Sequence, residues 1–171
     1  MKNLHKLFLA AIIMVAFTSG AMAQATATAT ATATIVTPIS IANNADMNFG
    51  NIAVQTGTGG TVALSASASP TRTPAGGGIT LPVVTGTVSS AKFTVSGTAS
   101  YTYTVTLPTT VTLSSGANTM SAGSFIKSSA GTLSAGGSEI FYVGATLTVA
   151  AAQPAGTYVS GTPFNVTVNY N

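Results

Sequence analysis

Cysteine and tryptophan are absent from the sequence, histidine occurs once, and only seven of the 171 residues carry a charge. Each scarcity excludes something. Without cysteine there is neither a disulfide framework nor a thiolate metal site. Disordered tails of the charge-rich kind need high net charge and few apolar residues, and here 46% of the chain is apolar or aromatic. The formal charge of +3 rests on cations scattered along the chain, not on a patch, which argues against nucleic acid as a partner.

Long apolar runs are missing too. The longest, residues 7–17, is too short to span a bilayer as a stable anchor. Lys2 and Lys6 stand before it and Ala21-Met22-Ala23 after it, so residues 1–23 read as a secretory signal peptide cleaved after Ala23. No cysteine follows, so this is not a lipoprotein signal. The expected route is export through the inner membrane to the periplasm, the cell surface or the medium. Cleavage removes the only histidine, His5, and leaves five charges: Arg72, Lys92, Lys127, Asp46 and Glu139.

In place of charge the chain has threonine, serine, alanine and glycine in quantity, with valine and isoleucine between them. β-Branched residues fit a pleated surface better than a helix, and Gly and Pro recur at intervals that suit short strands joined by turns. Phe93 and Val95 alternate with Lys92, Thr94 and Ser96 over residues 91–97. Tyr101, Tyr103, Val105 and Leu107 alternate with threonines until Pro108, and Val111 and Leu113 follow after a tight turn. Val143, Ala145, Leu147 and Val149 share a face, and so do Phe164, Val166, Val168 and Tyr170. Weaker strand patterns cover 48–54, 61–67, 79–84 and 125–126. No stretch keeps helical periodicity. The pattern predicts an all-β chain, a single antiparallel β-sandwich domain over residues 35–171. Gly57–Gly60 and Gly76–Gly78 read as loops and not as phosphate cradles, since no Lys-Ser/Thr and no helix follows either.

Residues 25–34 are Ala-Thr five times over. At period two, Ala25, Ala27, Ala29, Ala31 and Ala33 lie on one face and Thr26 and its equivalents on the other, with Ile35 continuing the alanine face. The segment 24–34 is either a spacer or an extended arm that pairs with something.

Catalytic chemistry has little to work with. After cleavage there is no His or Cys, and the one Asp and one Glu lie far apart without a motif around them. Asp46 reads as a turn residue, Glu139 as a solvated charge at a strand start, Lys92 as a solubilising charge on an edge strand and Lys127 as an exposed strand end. Clustered carboxylates or imidazoles for a metal are lacking. A Lys–Asn cross-link has no spacing to single it out. Leu107-Pro108-Thr109-Thr110 lacks the Gly of a cell-wall sorting signal. The sequon Asn165-Val166-Thr167 falls in an expected paired strand. The chain is expected to be no enzyme, without cofactor or metal and without a small-molecule ligand.

Three features in order carry a resemblance: the extended small-residue N-terminus, Asp46-Met47-Asn48-Phe49-Gly50, and Gly156-Thr157-Tyr158 followed by the alternating end strand. Together they resemble bacterial pilin subunits of the chaperone–usher type, especially the spore-coat-U-like and Mat/Ecp-like branches. The layout, with Ala-Thr-Ile-Val-Thr-Pro-Ile, Thr-Tyr-Thr-Val-Thr-Leu-Pro and Val-Thr-Val-Asn-Tyr, is similar to the secreted bacterial family DUF4402. What this implies is an immunoglobulin-like sandwich, incomplete and complemented by a donated strand. The implied function is a fimbria- or pilus-like structural subunit whose partners are other copies of itself or related subunits, with a periplasmic chaperone and an usher. The implied donor arm is Ala25, Thr26, Ala27, Ala29, Ala31, Ala33 and Ile35, and the implied acceptor edge is Phe164, Val166, Val168 and Tyr170. This chain lacks the cysteines usual in spore-coat-U-like subunits, and its alanine arm would lean on backbone hydrogen bonds more than on side-chain burial. A monomeric β-sandwich adhesin or binding module is the alternative reading. A small outer-membrane barrel fits the alternation but lacks aromatic girdles and strands of sufficient length.

Overall fold

A computed structural model describes residues 24–171. The signal peptide expected at 1–23 lies outside the described residues. The chain divides into two units at Ile35/Val36. In the first, residues 24–35 have no regular secondary structure and every one is exposed, the arm residues named above included.

The second unit, Val36–Asn171, is built from twelve strands, and among the described residues there is no helix. They are β1 (Ser40–Ala45), β2 (Ala53–Val54), β3 (Gly60–Leu64), β4 (Arg72–Ala75), β5 (Ile79–Thr80), β6 (Ala91–Ser96), β7 (Tyr103–Thr106), β8 (Thr110–Ser115), β9 (Asn118–Lys127), β10 (Ser138–Val149), β11 (Val159–Ser160) and β12 (Thr167–Tyr170). All pairings are antiparallel. The main sheet runs β1-β6-β10-β9-β8-β11; β12 and β7 form a second sheet, β2 and β5 a third. The long strand β10 organises the main sheet. Its residues 138–143 pair with β6 and its residues 146–149 pair with β3, which carries β4 beyond it. On the opposite side β9 runs beside it, with a bulge at which Ser124 takes φ 47°.

The period-two pattern decides the packing. Ala91, Phe93 and Val95 of β6 and Phe141 and Val143 of β10 turn inward and meet Tyr103 and Val105 of β7, Val168 of β12 and Leu133. Phe93 and Phe141, cross-strand partners, stack with centroids 5.5 Å apart. This layer-to-layer core makes the fold a β-sandwich. A second cluster joins Val62 and Leu64 of β3, Ala122 of β9, Ala145, Leu147 and Val149 of β10, and Phe49.

Several expectations are corrected in detail. The end strand is shorter than its alternation: only 167–170 pair, because β7 ends at Thr106 and Pro108, the next position that could bond in this register, has no N–H to give; among the described residues no strand lies opposite 164–166. Asn165 is therefore exposed and outside any strand. Lys92 is on β6, which has β1 on one side and β10 on the other, so it is not an edge charge. Of the stretches 48–54 and 79–84, only 53–54 and 79–80 are strands, while 125–126 belongs to the ten-residue β9. The strands β1 and β4 were not foreseen. Asp46 directly follows β1 and accepts a bond from the Asn43 amide at 2.8 Å, as a turn residue would, and Lys127 ends β9 exposed.

Candidate strand-accepting site

The C-terminal segment has the alternation its sequence predicts. Phe164, Val166, Val168 and Tyr170 turn inward, while Asn165, Thr167 and Asn169 are exposed. Val168 is 8% exposed and opposes Val105. Phe164 and Val166 lie against the first core cluster, and Phe164 tilts against Phe125 at 5.4 Å. Only the last four of these residues have a partner strand, and that partner is β7 alone. Upstream, residues 162–166 make no hydrogen bond to any described residue. Such extended backbone bonds to water or to another chain.

An open cleft of about 720 Å³ lies where the two crossovers between the sheets part. One wall is the end of β7 with Pro108 and the start of β8; the other is residues 161–167. The walls diverge after the pair Thr106–Thr167, because β8 departs to join β9. β11 covers β8 only at Leu113 and Ser114. The lining is uncharged and mixed, with five threonines beside apolar residues such as Leu107, Val111 and Phe164.

Tyr170, placed by sequence on the acceptor face, has a different task for its side chain. Its hydroxyl donates to the Thr37 carbonyl at 2.9 Å and accepts from the Thr98 N–H at 2.6 Å. Thr37 N–H in turn donates to the Thr98 hydroxyl at 3.0 Å. The ring meets Tyr101 edge-on at 5.6 Å. Any Cβ at residue 97 would run into the Tyr170 hydroxyl, so Gly97 is required by this contact. The latch fastens β12 to the entry of β1 and the exit of β6. The sequence signals it only through an aromatic next to the terminus and a glycine after an alternating run.

Two further junctions escaped the sequence. Tyr103, 2% exposed, donates to the Glu139 carboxylate at 2.6 Å and lies 3.1 Å from the Ser129 hydroxyl, while Ala130 N–H donates to the other Glu139 oxygen at 2.7 Å. Glu139 is thus a tie between the sheets and not a solvated charge. Burial, then the bond to Glu139, push the Tyr103 phenol up to about 12. Second, Arg72 donates to the carbonyls of Phe49 (2.9 Å) and Asn51 (2.7 Å). Asn48 bridges to Ser89, its side chain accepts from Gly50 N–H at 2.8 Å, and Gly50 takes φ 69°. Asp46-Met47-Asn48-Phe49-Gly50 is therefore an internal clasp held by Arg72, and its Phe49 belongs to the core.

No curated protein and no solved structure matches the chain at a significant level. One family profile does, that of a domain of unknown function, DUF4402, over residues 39–170. The match begins next to β1 and runs to the last residue of β12, taking in the clasp, both clusters and the C-terminal segment: the chain belongs to the DUF4402 family.

Proposed function

We propose that the protein is an exported, non-catalytic structural subunit that assembles with copies of itself or related subunits by strand donation. The arm at residues 25–35 of one chain is the donor, and the C-terminal segment carrying Phe164, Val166 and Val168 of the next is the acceptor. The observation that carries this reading is the run 162–166, which makes no hydrogen bond among the described residues and leads into β12 with Phe164 and Val166 turned inward and Asn165 outward. A donated strand satisfies such backbone and fixes register through alternate side chains. The ordered resemblance to chaperone–usher pilins supports the same assignment, as does an arm that is exposed along its whole length. A periplasmic chaperone and an usher are the partners this mode of assembly calls for, since an uncovered edge invites wrong pairing.

The test compares the mature chain, residues 24–171, with residues 36–171, by size-exclusion chromatography and electron microscopy. The longer chain is expected to form oligomers or fibres and the shorter to remain a monomer. Two equally monomeric proteins, with a chaperone supplied to both, would make the arm a spacer and overturn the reading.

A further inference from the structure

Only one flank of β12 is paired, and the register of that pairing says which backbone groups the other flank presents. Asn171 N–H donates to the Thr102 carbonyl at 3.3 Å, and the pairs Thr167–Thr106 and Asn169–Thr104 stand in phase with it. Tyr103 N–H is turned the other way, to the Gly131 carbonyl at 2.9 Å, which sets the same phase from the side of β7. Bonded and unbonded pairs alternate along an antiparallel ladder. The amides of Phe164, Val166, Val168 and Tyr170 therefore face the outer flank, where no strand among the described residues pairs with β12. We propose that this flank is the seat for the Ala-Thr arm of a second copy, which runs antiparallel to β12 with its alanines inward and its N-terminal end toward Tyr170. This rests on the strand-donation reading and assigns it an edge, a direction and a register.

Residues that exchange bonds across an antiparallel ladder turn their side chains to the same face. The partners of Phe164, Val166 and Val168 thus point inward with them, beside a core cluster that Ile39 and Ile41 also border. The arm has one apolar face to offer there, the alanines and Ile35. Turned over, it would set threonine hydroxyls against Phe164 and Val166 without partners. In the proposed setting its threonines lie beside Asn165, Thr167 and Asn169, which are exposed. No side chain of residues 25–35 or 162–170 is charged, so none loses its water on docking, a cost that an acidic or basic peptide would incur.

The Tyr170 latch decides the direction. Its bonds to Thr37 and Thr98 bring the entry of β1 across that end of the flank, whereas the end at Phe164 has no such tie. The donor's arm leads at Val36 into a folded unit, which needs the open end. Ile35 then stands near Phe164, and the repeat runs back toward Tyr170, antiparallel to β12. A chain's own arm is joined to Thr37, beside its own Tyr170, so laid on its own β12 it would run parallel. Slips of two residues leave the alanines equivalent. Ile35, 97% exposed, is the one large apolar side chain of the arm, and its burial against Phe164 selects the register with Thr34 beside Asn165 and Thr30 beside Asn169.

Because the chain has no cysteine, single introduced thiols read this register directly. Asn165 and Asn169 are exposed and hold unbonded positions on the outer flank, where facing Cα atoms lie about 4.5 Å apart, within disulfide reach. Mature chains with Asn165→Cys or Asn169→Cys are mixed with mature chains carrying one arm cysteine and oxidised, and the mixed dimers are identified by mass. Asn165→Cys is expected to pair best with Thr34→Cys and Asn169→Cys with Thr30→Cys, nearer the N-terminus; Ala31→Cys and Ala33→Cys should give about tenfold less with either. The reverse order, with Asn169→Cys preferring the later threonine, would make the strands parallel and overturn the proposal while strand donation stands. Equal yields from alanine and threonine positions would mean a tether and not a ladder, and would overturn the seat. No mixed dimer, from chains whose oligomers still need the arm, would move the acceptor elsewhere on the fold; no mixed dimer and no arm-dependent oligomer would remove both readings. Hydrogen exchange on the unsubstituted mature chain is the second measurement. Association should slow the amides of Phe164, Val166 and Val168 and leave that of Asn169, already bonded to β7, unchanged. Slowing at Asn165 alone would place the arm in the cleft and overturn the proposal.

Discussion

Tyr170 shows how much one hydroxyl can hold. It satisfies Thr98 N–H and donates to Thr37, joining the last strand to the corner where β1 begins and β6 ends. Tyr170→Phe leaves the Thr98 N–H without its acceptor in a partly buried place, and the Thr37 carbonyl with only the longer bond from the Thr98 hydroxyl, at a cost of about 1–3 kcal/mol. Gly97→Ala drives a methyl into the same hydroxyl, an overpacking of about 1–3 kcal/mol. The two substitutions should not add. With phenylalanine at 170 the obstructing oxygen is gone, and only the Leu133 methyl and the ring edge, both at 3.1 Å, still press on the new Cβ. Urea unfolding of the four proteins in the cycle should return a coupling of about 0.5–3 kcal/mol in the direction of rescue. Additivity would mean that the hydroxyl does not lie over Gly97.

Between elements, the tie from Tyr103 of β7 to Glu139 of β10 makes the union of the layers sensitive to alkali. Below pH 10 the phenol is protonated in both folded and unfolded chains, and its contribution is fully present. Between pH 10 and about 12 the unfolded chain ionises first while the buried phenol does not, so stability falls through that window. Tyr103→Phe should start less stable and decline less over the same window; parallel pH profiles would show that the phenol does not govern it. Element by element, the sequence was most legible where one face is buried. Phe93 and Val95, Tyr103 and Val105, and Leu147 and Val149 alternate because water is on their other side, and all are core residues. It was least legible where pairing does not depend on burial. β1, Ser-Ile-Ala-Asn-Asn-Ala, is almost wholly exposed and is held chiefly by its ladder to β6, with Ile41 its one side chain against the core. β4 carries Pro74 on an edge, where a missing N–H does no harm. The end segment was misjudged for the converse reason. Its side chains alternate over seven residues, but whether backbone is paired depends on where the neighbouring strand turns away, and Pro108 sets that from sixty residues upstream.

For the whole molecule the scarcity of charge sets how the candidate site can work. Sheet proteins commonly guard their edges with charge, and most of the few charges here are engaged in other tasks. Lys92 is on an interior strand, Glu139 is tied to Tyr103, and the guanidinium of Arg72 is taken up by the clasp. Neither the arm nor residues 162–169 contain an ionisable side chain. Association through them would draw on backbone hydrogen bonds and methyl burial, and salt screens neither at moderate concentration. The association constant of the mature chain, measured by analytical ultracentrifugation, should change less than about twofold between roughly 0.05 and 0.5 M sodium chloride, a range over which exposed charge pairs lose most of their attraction. A tenfold weakening would assign the contact to the scattered lysines and arginine, and so to a surface other than the arm and the C-terminal segment. Strengthening by sulfate at equal ionic strength is the matching expectation, because excluded anions favour burial of the alanine face.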